Sequence, residues 1–180
     1  MKVNHLIVDI ETTGLSTLWD EPIQIAVGKG ASDGSITTEV FWINTERKIH
    51  PKAQAVHGIT SDFLRIHGMT PELGAKRYND ILWENNPCVV IGYNLINFDQ
   101  PMLQSWLARK IKGNFKFSPC VATQDVMFMC CVHFKQKKWP RLLESAAHLN
   151  IEIDKSSLHD AKYDVELTWE IYKRLEGISG

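Results

Sequence analysis

Asp9 and Glu11 stand two residues apart in the stretch Leu6-Ile7-Val8-Asp9-Ile10-Glu11-Thr12-Thr13-Gly14. A strand repeats every two residues, so both carboxylates fall on one face. Valine and isoleucine flank both acids, the composition of a central strand covered on both sides. Ionised carboxylates are costly there unless a cation neutralises them. The residues Thr12-Thr13-Gly14 then supply hydroxyls, backbone N–H groups and a flexible turn where the strand ends, which is where open α/β sheets bind ligands. A half-solvated strand would explain an arbitrary Asp-x-Glu. It does not explain this apolar context.

Two further acids and a histidine have related positions. Asp99 precedes Leu103, Leu107 and Ile111 at four-residue spacing and extends their stripe back by one turn, toward the core side of a helix. An N-cap is the plainer reading of Asp99 by itself. A cap leaves unexplained the approach Gly92-Tyr93-Asn94-Leu95-Ile96-Asn97-Phe98, a strand end followed by amides and an aromatic ring. Near the C-terminus, Asp164 shares one helix face with Ala161, Val165, Thr168, Ile171 and Leu175. A carboxylate in an apolar stripe wants a cation. His159, five positions earlier, falls just before or at the start of that helix.

The elements that must position these groups follow from periodicity and punctuation. A strand through the opening stretch is followed by a loop over Trp19–Pro22, a strand over Ile23–Val27, glycines at 28, 30 and 34, and a strand from Ile36 to Asn44. That order predicts three antiparallel strands. Short helical segments are expected from Pro51 to His57 and, capped by Thr60 or Ser61, through Ile66; a longer helix follows Pro71 to Asn85. Cys88–Gly92 reads as a buried parallel strand, Cys120–Thr123 as another, with helices after Asp99 and over 124–134, 140–149 and 161–175. Strands first, then strands alternating with helices, give an α/β class with a mixed five-stranded sheet flanked by helices.

The 180 residues, 44% hydrophobic and 23% charged, suit one domain over residues 1–180. No apolar run approaches a membrane span and Asp9 interrupts any imitation of a signal peptide, so a cytoplasmic protein with no membrane partner is expected. Cys88, Cys120, Cys130 and Cys131 form no Cys-x-x-Cys pair and read as reduced, mostly buried thiols. The net charge of −1, from 20 basic and 21 acidic residues, argues weakly against a nucleic-acid binder until the four acids above are set aside, after which cations are in excess. Lys135, Lys137, Lys138 and Arg141 surround Trp139; a solvated face is the plainer reading, a patch that follows a phosphate backbone the other.

Asp9-Ile10-Glu11-Thr12-Thr13-Gly14, Asn94 with Phe98-Asp99, and His159-Asp160-Ala161 with Asp164 resemble, in order and spacing, the three motifs of the DEDDh group of DnaQ-like 3′→5′ exonucleases. His57-Gly58-Ile59-Thr60 resembles a further segment of many members, and the likeness runs from about residue 5 to 175. The sister group with a catalytic tyrosine would need it where this chain has Asp160. The resemblance implies a ribonuclease H-like fold and a divalent-metal-dependent 3′→5′ exonuclease acting on single-stranded or frayed DNA or RNA ends. It implies that Asp9, Glu11, Asp99 and Asp164 hold two ions, Mg²⁺ or Mn²⁺, and that His159 is the general base. Thr12, Thr13 and Gly14 would approach the terminal nucleotide through backbone groups and Leu15 would pack on its base, with His57, Asn94 and Phe98 near the sugar and the next base. Leu15 and Phe98 read equally well as plain core. Two competing readings are a catalytically idle nucleic-acid-binding module on the same fold and a proofreading subunit with a polymerase partner.

Overall fold

The computed structural model describes residues 3–112, 122–154 and 160–178. Three antiparallel strands come first: β1 (Asn4–Thr12), β2 (Pro22–Gly30) and β3 (Ile36–Trp42). Helices α1 (Pro51–His57), α2 (Ser61–His67) and α3 (Pro71–Glu84) lead to β4 (Cys88–Gly92), α4 (Asp99–Lys110), β5 (Ala122–Asp125), α5 (Val126–His133), α6 (Leu142–His148) and α7 (Ala161–Glu176). The sheet order is β3-β2-β1-β4-β5, with β4 parallel to both β1 and β5. This is the mixed five-stranded sheet flanked by helices that the alternation of elements predicts. Among the described residues no helix is long and apolar enough to cross a membrane.

The two faces of β1 belong to two cores. Leu6, Val8 and Ile10 pack with Ile25, Val27, Phe41 and residues of α3 and α4, among them Tyr78, Ile81, Met102 and Trp106. On the other face Ile7 joins Ala26, Ile91, Val126, Cys130 and the apolar stripe of α7, including Val165, Trp169 and Tyr172. Hydrophobic burial on both faces thus locates β1 at the centre. Its last described parallel partner on β4 is Ile91, opposite Ile7, so Asp9 and Glu11 extend past that ladder toward the loops that follow β4 and β5.

Gly28 and Gly30 lie inside β2 rather than in the turn that their spacing suggests. The reason is close approach: a Cβ on Gly30 would meet the Trp169 ring at 2.7 Å, and one on Gly28 would meet Val165 Cγ1 at the same distance. Bare backbone here lets α7, which carries Asp164, settle onto the sheet. Trp169 Nε1 and Lys173 Nζ both donate to the Gly34 carbonyl at 2.9 Å, fixing the helix against the β2–β3 turn. Thr60, not Ser61, caps α2, its hydroxyl accepting from Phe63 N–H. Cys88, Cys130 and Cys131 are free thiols, the first two buried; Cys120 lies outside the described residues.

Candidate active site

Strand β1 and the first turn of α7 bring three acids together. Asp9, Glu11 and Asp164 each present a carboxylate oxygen within 4.8 Å of the other two. Asp9 and Glu11 reach the site by strand alternation, and Asp164 by the stripe that packs α7 against β1 and β2. Asp99 adds a fourth charge, felt by both Asp9 and Glu11. It is not the N-cap of α4: Phe98 holds that position without a side-chain bond, and Asp99 is the first helical residue, buried, with hydrogen bonds from its own N–H and that of Ile10 to its carboxylate.

The acids are not at ease as neighbours. Burial first, then the charges of Asp99, Asp164, Glu11 and Asp160, hold Asp9 well above the usual carboxylate range. Burial and the charges of Asp164, Asp99 and Asp160 push Glu11 up to about 8. Burial raises Asp99 to about 8 against its two backbone hydrogen bonds, with Asp125 adding to the rise. Desolvated like charges of this kind are relieved by protons or by cations. An all-carboxylate set offers hard oxygen ligands, which fit Mg²⁺ or Mn²⁺ rather than a thiolate-seeking metal.

His159 lies outside the described residues. Its neighbour Asp160 caps α7, accepting from Lys162 N–H at 3.0 Å, and accepts from Gln24 Nε2 at 3.2 Å. Gln24 is paired with Glu11 across β1 and β2, so the start of α7 is tied to the acidic pair. The Tyr163 hydroxyl accepts from Asp154 N–H at 2.7 Å, a structural engagement.

Beside the acids opens a cleft of about 740 Å³, lined by Glu11, Thr12, Gly14, Leu15, His57 and Phe98 among others. Leu15 is 84% exposed, which removes it from the core; Phe98 is partly buried against the core and still faces the cleft. Thr13 does not line it. Its N–H donates to Glu21 O, its carbonyl accepts from His50 N–H, and its hydroxyl joins Asp20 and Glu21, so every polar group it has braces the loop. Gly14 is required by the same brace, because a Cβ there would sit 2.6 Å from Asp20 Oδ2. His57 accepts from Ile59 N–H through Nδ1 and stands between this cleft and a smaller one that reaches Gln24, Trp42 and Asp160.

Sequence reasoning missed several supporting residues. Lys48, His50 and Lys52 line the cleft, and the two lysines bring positive charge to it. Asp125, buried, accepts from the N–H groups of Asn94, Ile96 and Met127 and so holds the turn that delivers Asp99; Asn94 adopts φ 60 there. From the far end of α4, Arg109 donates to the carbonyls of Leu18 and Asp20, and Lys110 pairs with buried Glu21 at 2.9 Å. Only Asp125 had a visible signal, an acid between an apolar run and a helix.

The family model RNase_T, described as "Exonuclease", matches residues 6–172. The DNA polymerase III PolC-type of Mycoplasma genitalium is 27% identical over 169 residues, 93% of this chain and 11% of that protein. Exodeoxyribonuclease I of Buchnera aphidicola subsp. Schizaphis graminum is 29% identical over 121 residues, 65% of this chain and 25% of the relative. The chain thus spans about a tenth to a quarter of these relatives. Among solved structures, E. coli Exonuclease I in complex with a dA16 oligonucleotide aligns with a TM-score of 0.83 and 22% identity, covering 98% of this chain and 41% of that one. The zinc-bound form of the E. coli ExoI–ssDNA complex aligns at 0.82 with 24% identity and the same coverage.

Proposed function

The chain belongs to the exonuclease family whose model it matches, and from that premise we propose that it hydrolyses single-stranded or frayed nucleic acid from the 3′ end, releasing nucleoside 5′-monophosphates. The observation that carries this reading is the convergence of Asp9, Glu11 and Asp164 within 4.8 Å, with Asp99 beside them, at the edge of a cleft large enough for a terminal nucleotide.

Asp9, Glu11, Asp99 and Asp164 would hold two divalent cations, Mg²⁺ or Mn²⁺. Bound there, the cations supply Lewis acidity toward the attacking water and charge stabilisation for the departing 3′-oxygen. The chain's own groups do the rest. His159 takes the water's proton as general base. Leu15 and Phe98, which line the cleft, would offer apolar surface to bases of any identity, while His57 and the backbone at Thr12 and Gly14, in the same lining, would meet the sugar. Lys48 and Lys52 draw the polyanion toward an otherwise acidic centre. The free thiols fit a reducing compartment, and the cytoplasm is the proposed place of action.

Matched 3′-labelled DNA and RNA oligonucleotides, with and without EDTA, test the reading. Metal-dependent release of mononucleotides from the 3′ end is expected, with a 3′-phosphate slowing digestion and a 5′-phosphate having no effect. Rapid cutting of a circular single strand would replace it with an endonuclease. A second reading, service as the proofreading exonuclease of a polymerase, has one observation in its favour: the PolC-type relative aligns over 93% of this chain. Preference for a mismatched over a matched primer terminus distinguishes the two.

A further inference from the structure

One surface takes no part in the reaction described above. Phe128 on α5 and Trp139 before α6 are 56% and 51% exposed, yet their ring centroids lie 6.0 Å apart with the planes tilted by 37°. Val132, one turn along α5 from Phe128, is exposed as well. Apolar side chains grouped in water mark a surface that binds something. Here the group has cations around it: Lys135, Lys137, Lys138 and Arg141 are all exposed, and Glu144 is the one carboxylate between Val126 and Ser145. A purely apolar partner gains nothing from four cations. A strand of phosphates and bases uses both, since cations neutralise phosphates and every base has a face that stacks on an aromatic ring.

Two hydrogen-bonded links join this surface to the acids. Tyr93 Oη donates to the Pro140 carbonyl at 2.8 Å, which pins the residue next to Trp139 against the start of the turn leading to Asp99. Asp125, the cap of α5, accepts from Asn94 and Ile96 N–H at 3.1 Å and pins the helix that carries Phe128 to the same turn. The stacking residues are therefore fixed to the backbone that places a candidate metal ligand.

We propose that Phe128 and Trp139, with Lys135, Lys137, Lys138 and Arg141, form a second binding site for single-stranded nucleic acid, which takes bases on the 5′ side of the nucleotide held in the cleft. The inference rests on the 3′-exonuclease reading for its direction along the strand. The site anchors the body of the strand while its end is trimmed, so it acts on long substrates and not on short ones.

The test compares the intact protein with a Phe128→Ala/Trp139→Ala variant and with Lys135→Gln/Lys137→Gln/Lys138→Gln. Hydrolysis of a dinucleotide and of an oligonucleotide of about 15 residues, within the span of one binding fold, is followed, and strand binding is read by fluorescence anisotropy in EDTA. For the long strand KM should rise roughly tenfold in the aromatic variant, a typical loss for one stacked base, with kcat and the dinucleotide unchanged. The lysine variant should lower the salt dependence of strand binding. Phe128→Tyr/Trp139→Phe should restore the long-strand KM, which separates stacking from misfolding. Equal KM values for variant and parent on the long strand overturn the proposal, as does a loss confined to association with another protein. If the intact chain binds the long strand through this surface but cleaves nothing with metal, the reading of the acids fails, and the binding site stands without its direction along the strand. If cleavage proceeds with a KM indifferent to strand length, the reverse holds.

Discussion

At the acidic centre each group stands on a regular element: Asp9 and Glu11 on β1, Asp99 at the head of α4, Asp164 in the first turn of α7. The aromatic and basic surface is assembled otherwise, from one exposed face of α5 and an irregular segment before α6 that are joined ring to ring. The first region concentrates like charges in low dielectric and is unfavourable until something neutralises it. The second leaves apolar rings in water and is incomplete until something covers it. Chemistry asks for rigid placement, which strands and helices supply, whereas grip on a variable polymer asks for reach and tolerance.

That contrast is open to attack, most forcefully at the acids. Asp9→Ala or Asp164→Ala should abolish hydrolysis, and EDTA should do the same to the unaltered protein, while anisotropy still registers oligonucleotide binding. Loss of binding along with cleavage would erase the distinction between the regions. His159→Ala should lower kcat by roughly 10²–10⁴-fold with KM little changed and partial recovery at high pH, where hydroxide replaces the base. Near-full activity at neutral pH would make the histidine a bystander.

The electrostatics of the two regions separate with pH. In the metal-free protein Glu11 and Asp99 rise to about 8 and Asp9 rises too, from ordinary values of 4.5 for Glu and 3.8 for Asp. Across that window the folded chain binds more protons than the unfolded one, so stability is fully present below the unfolded pKa values and declines as pH climbs toward the folded ones. Melting in EDTA should therefore show Tm falling from pH 5 to pH 8, with added Mn²⁺ abolishing the fall. The Phe128→Ala/Trp139→Ala variant should keep the same slope, and a flat profile in the parent would contradict the raised acids.

Packing gives a smaller lever. Gly30→Val drives a branched side chain into the Trp169 ring and should cost about 1–3 kcal/mol of stability, with kcat falling as well because α7 carries Asp164. The smallest change is expected from Leu15→Ala: being exposed, it should shift stability by less than about 0.5 kcal/mol while raising KM for every substrate length. An effect confined to long strands would assign Leu15 to the other region.

Periodicity exposed what lies on regular elements. The alternation of Leu6, Val8 and Ile10 with Asp9 and Glu11 shows the acids on one face, and the stripe around Asp164 shows that face meeting the sheet. The sheet class followed from the order of strands and helices. Contacts between distant segments were invisible: Tyr93 to Pro140 spans 47 residues and Asp125 to Asn94 spans 31, with no local pattern to announce either. Trp139 beside lysines read as a solvated face because its partner Phe128 belongs to another element. Gly28 and Gly30 read as turn residues because the close approach of Trp169 is a fact of packing alone.

Helix α4 also has a fixed span. Asp99 stands at one end beside the acids, and Arg109 and Lys110 at the other hold the loop that displays Leu15. Its 12 residues make a strut of about 18 Å, and one inserted residue would swing the far end by about 100°. Point changes on its outer side are tolerable in such a strut, but a single insertion or deletion is not, because it would unlatch the loop or displace the acid. The helix is a gauge: its length in residues sets how the buried acid at its head and the loop that displays Leu15 stand to one another.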